Sequence, residues 1–417
     1  MSRVSSREKI AHVVRRLGYG ANAAVAADLQ DTDAAIAWAL DLSVQAPDLP
    51  AIEPPEDNMQ RDRRAVRLVY QYWLERLLTA ARPIEERLVW FWHDHFAVDA
   101  RKVRQPYLLN QHHGVLRTHA TGNFADLIKA VAVDPAMLRY LDGGTNARQS
   151  LNENFGREVL ELYTVGRGNF TEEDVLASAR AFTGWVVYVP GTRADRLLRD
   201  QRPWSSVFVD SRHDSGSKTL LGETGNHDAS AALDIMLEHP STADRIAAKL
   251  YAELVGLTAS EDTQIRLGHI FRGGYSTMAL VEAIVSDPTF LSDEAVHAKI
   301  RSPLEQAVGV AQALAPDRQA LGAIVPAIEQ IGYLPFRPPN PAGYPKGVRL
   351  LSPHRLVRTF DFAAITPRHI ADLDASEMLQ RLGLYDVSAT TSDVVNAIED
   401  PHLRWALVVN APEHHLV

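Results

Sequence analysis

The chain has 417 residues, enough for one large domain or two intimate ones with a core that needs no covalent staple. It contains no cysteine, which excludes disulfides, iron–sulfur clusters, thiolate zinc sites and cysteine nucleophiles. The net charge of -9 argues against a nucleic-acid partner, although residues 61–130 carry a net +5 and residues 361–417 a net -6. No apolar run approaches the roughly 18 residues of a membrane span. Met1–Gly20 is mixed and basic without an apolar segment, so a cytoplasmic protein without a transmembrane segment is expected.

Residues 5–17 put Ile10, Val13, Val14 and Leu17 on one face and read as a helix, ended by Gly18 and Gly20. An alanine-rich stretch near 22–41 reads as a second helix, and four prolines in 46–58 make a loop. Val66, Val69, Tyr70, Trp73, Leu77 and Leu78 recur at helical spacing within 61–80. Pro83 suits the first turn of the next helix, with Glu85 and Glu86 at its positive end, and that helix runs toward His93 and His95. Helical patterns follow at 105–121 and 123–133, with a turn begun by Pro135. Asn152 is placed to cap a helix to about Thr164, and Thr171 one to about Phe182.

Trp185–Val189 and Ser206–Val209 are β-like. Helical periodicity returns at 230–257, then at 260–271, 276–286, 293–297 and 303–315. Residues 335–349, dense in proline and glycine, form a rigid loop, and the last 65 residues look like three short helices. The expected fold is mainly α, a multi-helical array with a small β-hairpin or irregular insertion near 185–225. Residues 1–350 would form the main body, with 351–417 packed on it as a C-terminal helical segment.

Four stretches carry the polar chemistry. Phe91–Trp92–His93–Asp94–His95–Phe96 holds two histidines that would both turn inward if the helix ends at Asp94. They would then ligate a metal; otherwise they are helix-end histidines bonded to carboxylates. In Asn152–Tyr163, Glu158 and Glu161 share a helical face, and Arg157 lies one turn before Glu161. Buried acids need a cation or a metal, so Arg157 would pair with Glu161 or leave the acids for chemistry. His213–Asp214 follows a strand-like run and would bind a metal or act as base and orienter. The loop Phe336–Arg349, with Asn340, Tyr344 and Lys346, would line a pocket or strap the helical body. The chain lacks a His-Glu-x-x-His signature, a Walker A loop, a Gly-x-Ser-x-Gly elbow and a dinucleotide glycine loop.

In combination these pieces resemble the bacterial family DUF1800, a domain of unknown function. The similarity rests on Leu17–Gly18–Tyr19–Gly20, the Phe91–Phe96 stretch, Gly122–Asn123–Phe124 and Asp134–Pro135–Ala136–Met137–Leu138. It continues through Asn152–Leu162, Thr183–Gly184–Trp185, His213–Asp214, Lys299, Pro303, Glu305 and Phe336–Asn340. The resemblance implies a mostly helical protein and supplies no reaction. It also implies frequent export, from which Met1–Gly20 departs. Tyr163 stands where similar proteins often have histidine, and Gly156 where they commonly have alanine.

The enzyme reading gathers these residues in one cleft as a divalent-metal-dependent hydrolase. His93, His95, Glu161 and His213 would hold zinc, iron or manganese. Glu158 and Asp214 would move protons, and Arg157 would hold an anionic substrate group. A di-iron oxidase-like site is a second chemistry. The alternative is a non-catalytic binding or assembly factor, whose His, Glu and Arg side chains form a buried structural network. Its partner would be a small molecule or a protein.

Overall fold

The computed structural model describes residues 4–45, 48–56, 63–79, 81–192, 198, 200–313, 326–365 and 370–417. The chain is mainly helical. Its first half holds α1 (Ser6–Leu17), α2 (Ala23–Asp28), α3 (Thr32–Leu40), α4 (Arg63–Thr79), α5 (Pro83–His95) and α6 (Ala100–Val103). It continues with α7 (Pro106–His119), α8 (Phe124–Ala132), α9 (Pro135–Tyr140), α10 (Glu153–Glu158) and α11 (Glu172–Ala181). Proline opens α5, α7 and α9, where its missing N–H costs no hydrogen bond.

Two antiparallel strand pairs interrupt the helices. β1 (Trp185–Val187) pairs with β2 (Ser206–Phe208), Val186 opposite Val207, and β3 (Lys218–Leu220) pairs with β4 (Glu223–Gly225), Thr219 opposite Thr224. The body is completed by α12 (Ala229–Glu238), α13 (Pro240–Val255), α14 (Glu261–Arg272), α15 (Thr277–Val285) and α16 (Pro303–Ala313). The C-terminal part holds α17 (Pro353–Ala363), α18 (Ala375–Arg381), α19 (Ala389–Ala397), α20 (Pro401–Val409) and α21 (Pro412–His415).

Several boundaries differ from the sequence reading. The stretch 22–41 splits in two because Asp31 accepts from the Ala34 N–H at 2.8 Å and starts α3 afresh. Pro240 likewise divides 230–257 into α12 and α13. Residues 293–297 form turns rather than a helix; helical hydrogen bonding occurs earlier, in a 3₁₀ turn at Pro288–Leu291 capped by Asp287. Among the described residues of 353–417 there are five helices instead of three, each start set by a local cap or proline. The ends of the expected helices at 61–62, 80 and 314–315 lie outside the described residues.

α5 is the spine: all of its residues from Pro83 to His95 are buried. A helix enclosed on every side normally carries only apolar residues, yet this one holds Glu85, Glu86, Arg87, His93, Asp94 and His95. Such groups are tolerated in a core only when paired. Arg76 from α4 and Arg117 from α7 both reach Glu86, at 2.8 and 2.7 Å. The C-terminal segment is tied back to the body as well. The backbones of Lys299 and Val417 exchange hydrogen bonds at 3.0 and 2.8 Å, and Arg301 N–H donates to the His415 carbonyl at 2.8 Å.

Candidate functional site

A cavity of about 440 Å³ opens beside the C-terminal half of α5. α13 contributes Lys249 and Glu253, the segment before α16 contributes Lys299 and Ser302, α16 contributes Glu305, the Pro/Gly loop contributes Lys346, and Tyr333 lies just before that loop. Its floor is an ion cluster. Arg87 Nη1 lies 2.6 Å from Glu305 Oε1 and 3.1 Å from Glu253 Oε1. Lys299 Nζ reaches the same two oxygens at 3.0 and 2.6 Å. The remaining guanidinium donors of Arg87 go to the Gly18 and Arg15 carbonyls, capping orphan acceptors at the end of α1. Burial alone would raise both carboxyl pKa values, but the adjacent Lys299 and Arg87 charges hold them below the usual carboxylate range.

Local sequence places these groups. Ser302 and Glu305 form a reciprocal cap on α16: Ser302 N–H donates to Glu305 Oε2 at 2.8 Å, and Glu305 N–H to Ser302 Oγ at 3.2 Å. Arg245, Lys249 and Glu253 recur every four residues on one face of α13. The loop is fastened over Asp94, which accepts from Tyr344 N–H at 2.6 Å and pairs with Lys346 Nζ at 2.6 Å. Gly343 makes that approach feasible. Its φ is +94°, and a Cβ there would stand 2.3 Å from Asp94 Oδ1. The loop is thus both a strap and a cavity wall.

His95 sits between this cavity and the end of the helix that begins with α10. A π turn at Val159–Tyr163 extends α10, and its last carbonyls point at cationic or N–H donors. Arg245 donates to the Leu162 carbonyl at 2.7 Å, and His95 Nε2–H to the Tyr163 carbonyl at 3.2 Å. A carbonyl oxygen only accepts, so Nε2 carries the imidazole proton and Nδ1 is an acceptor. Lys249 Nζ lies 2.7 Å from that Nδ1. Burial, with the Lys249 and Arg245 charges nearby, holds the His95 pKa well below its ordinary value, so the ring is neutral. Lys249 is half-buried and lines the cavity. Desolvation, with Lys346 and Arg245 close by, brings its pKa down to about 7.

The other expected site residues fall elsewhere. His93 is fully buried between Trp73 and Phe336, and its Nε2 accepts from Phe336 N–H at 3.1 Å. Arg157 is half-buried at the surface and pairs with Glu172, not Glu161, at 2.7 Å. Glu161 is held by Arg167 instead. Glu158 is half-buried, and burial beside Glu161 raises its pKa. Asp214 takes a two-pronged contact from Arg180 at 2.7 and 3.1 Å, which pulls its pKa down to about 2. His213 is buried, with Nδ1 donating to the Thr183 carbonyl at 3.0 Å.

The expected single cleft is therefore not formed. His95 lies behind Lys249 at the end of α5, His93 among aromatics, the Arg157 group on a surface and His213–Asp214 against α11. Each meets partners close in its own neighbourhood. Among the described residues, no group of three or more His, Asp or Glu side chains is arranged to share a metal ion. His93, His95, Glu161 and His213 therefore do not form one donor set for a divalent ion among the described residues.

The chain matches the family described as "Protein of unknown function (DUF1800)" over residues 12–416. It belongs to that family. No curated protein and no solved structure matches it. Within this DUF1800 chain, the sequence reading missed Arg87, Lys249 and Glu253. The available signal was the four-residue recurrence of charge along α13 and an arginine inside a helix whose neighbours are apolar. No helix among the described residues is long and apolar enough to cross a membrane.

Proposed function

We propose that this DUF1800 protein is a helical binding or assembly factor, with its buried His, Glu and Arg side chains serving to lock the helices together. The observation that carries this reading is the cluster of Arg87, Glu253, Lys299 and Glu305, in which both carboxylates meet both cations. A satisfied buried network of this kind fixes one arrangement of helices. The cavity above it supplies a binding site of small-molecule size. The metal-hydrolase and di-iron readings draw on Glu161 and Asp214, whose carboxylates Arg167 and Arg180 already engage. A cytoplasmic location is part of the proposal and is tested by cell fractionation.

Elemental analysis of protein purified without a histidine tag separates the readings. Folded protein without stoichiometric metal supports the structural role. Stoichiometric zinc, iron or manganese that is lost in Glu158→Ala or His213→Ala overturns it in favour of the enzyme.

A further inference from the structure

The chain has seven lysines against thirty-six arginines. Three of the seven, Lys249, Lys299 and Lys346, line the one cavity described above. Lys299 is neutralised by Glu253 and Glu305, and Lys346 by Asp94. Lys249 differs from both. Its hydrogen-bond partner is the neutral imidazole of His95, and no carboxylate pairs with it among the described residues. We propose that Lys249 is a nucleophilic amine that captures a small apolar aldehyde or ketone in this cavity as an imine, with His95 as its positioning residue.

The geometry supplies what such a reaction needs. His95 Nδ1 accepts one N–H of the amine, which holds the nitrogen at the cavity wall while its lone pair stays uncommitted. The charged groups packed around it are Lys346 and Arg245, which oppose its protonation, and Asp94, which favours it. These surroundings favour the unprotonated amine more than at an ordinary surface lysine. The amine lone pair adds to the carbonyl carbon, and the carbonyl π pair moves to oxygen to give a carbinolamine. Both amine hydrogens then leave with that oxygen as water, and C=N forms. No oxidant or reductant enters.

The ligand class follows from the rest of the wall. Trp90, Ala252, Ala298, Ile300, Val348 and Leu350 are apolar, and every other lysine of the cavity is already paired. The site therefore sets the Lys249 amine between a floor of paired ions (Glu253, Lys299 and Glu305) and an apolar side, which suits a carbonyl compound with a short hydrocarbon body. The inference goes beyond the structural reading of the network, because Arg87, Glu253 and Glu305 can lock the helices whether or not Lys249 reacts.

The test uses the intact protein with hexanal and sodium cyanoborohydride at pH 7, followed by peptide mass mapping. A single hexyl group on Lys249, formed roughly tenfold or more faster than on Lys9, Lys102 or Lys129, is expected, and Lys249→Met abolishes the fast phase. Labelling spread over surface lysines with no preference for Lys249 overturns the proposal. Competitive acetylation of the wild-type protein across pH gives a second readout that needs no variant. A Lys249 midpoint near 7 supports the proposal, and one near 10.5 overturns it. In His95→Phe, both the hexanal rate and the Lys249 midpoint should fall. A role in packing alone predicts neither change, and finding neither removes His95 from the proposal. Metal content and stability of the network variants report separately on the structural reading.

Discussion

Arg87 and Glu305 are 218 residues apart in sequence and 2.6 Å apart in space. That contact joins α5 to α16, and Glu253 brings in α13. Replacing Arg87 with methionine leaves two buried carboxylates sharing Lys299. Removing one partner of a buried pair costs about 3–5 kcal/mol, whereas removing both sides is far milder. Arg87→Met should therefore lower unfolding free energy by about that amount in urea titrations, and adding Glu253→Gln should recover part of it. Strictly additive losses would show that the groups do not act together.

Glu8 predicts acid sensitivity at the junction with the C-terminal segment. Its carboxylate is fully buried, pairs with Arg15 at 2.5 Å and His297 at 3.0 Å, and accepts from Tyr385 and Asp386 N–H. Burial opposes its ionisation, but these partners win and bring its pKa from 4.5 down to about 2. A lowered folded-state value means that the stabilisation is complete above pH 4.5 and disappears as pH falls toward 2. Glu8→Gln should remove this component of the acid dependence, measured as the wild-type minus variant difference in unfolding free energy across that window. An unchanged difference would contradict the assignment.

Gly156 gives an opposite result to helix propensity. Alanine is worth roughly 1 kcal/mol over glycine in a helix interior. Here a Cβ would stand 2.8 Å from the Ala179 backbone nitrogen and 3.1 Å from its Cα. Those are backbone atoms of α11, which cannot swing aside as a side chain can. Overpacking of this kind costs about 1–3 kcal/mol, so Gly156→Ala should lower the melting temperature. A raised melting temperature would mean that α10 and α11 separate easily.

Lys249 carries a stability signature independent of any ligand. Its folded pKa of about 7 lies below its ordinary 10.5, so between these values the unfolded chain binds a proton that the folded chain does not. Its contribution therefore makes stability rise with pH through this window. Lys249→Met removes the cation but keeps most of the side chain's length and apolar volume. The variant should be more stable than wild type at pH 7, with the gap narrowing toward pH 10, as followed by chemical denaturation. A destabilised variant at pH 7 would show that the ammonium is well compensated.

The helical class, the proline-led starts of α5 and α9, and the small extended insertion were legible in the sequence. They depend on spacing, caps and ring geometry within one element, which the order of residues specifies directly. The family could be read for the same reason, from short local motifs spread along most of the chain. The split of 22–41 was harder, because Asp31 competes as a cap within an unbroken alanine-rich pattern.

The site was not legible in the same way. Glu158, Glu161 and Arg157 were correctly placed on one helix, but their partners come from other segments: Glu172 for Arg157 and Arg167 for Glu161. The composition alone settled that no thiol chemistry exists here, and local pattern settled where helices begin. Which charges meet, and that Lys249 meets the His95 imidazole, was decided only when α5, α13, α16 and the proline-rich strap packed together. Ion pairing acts through space over a few ångström, and residue spacing along the chain does not encode that distance.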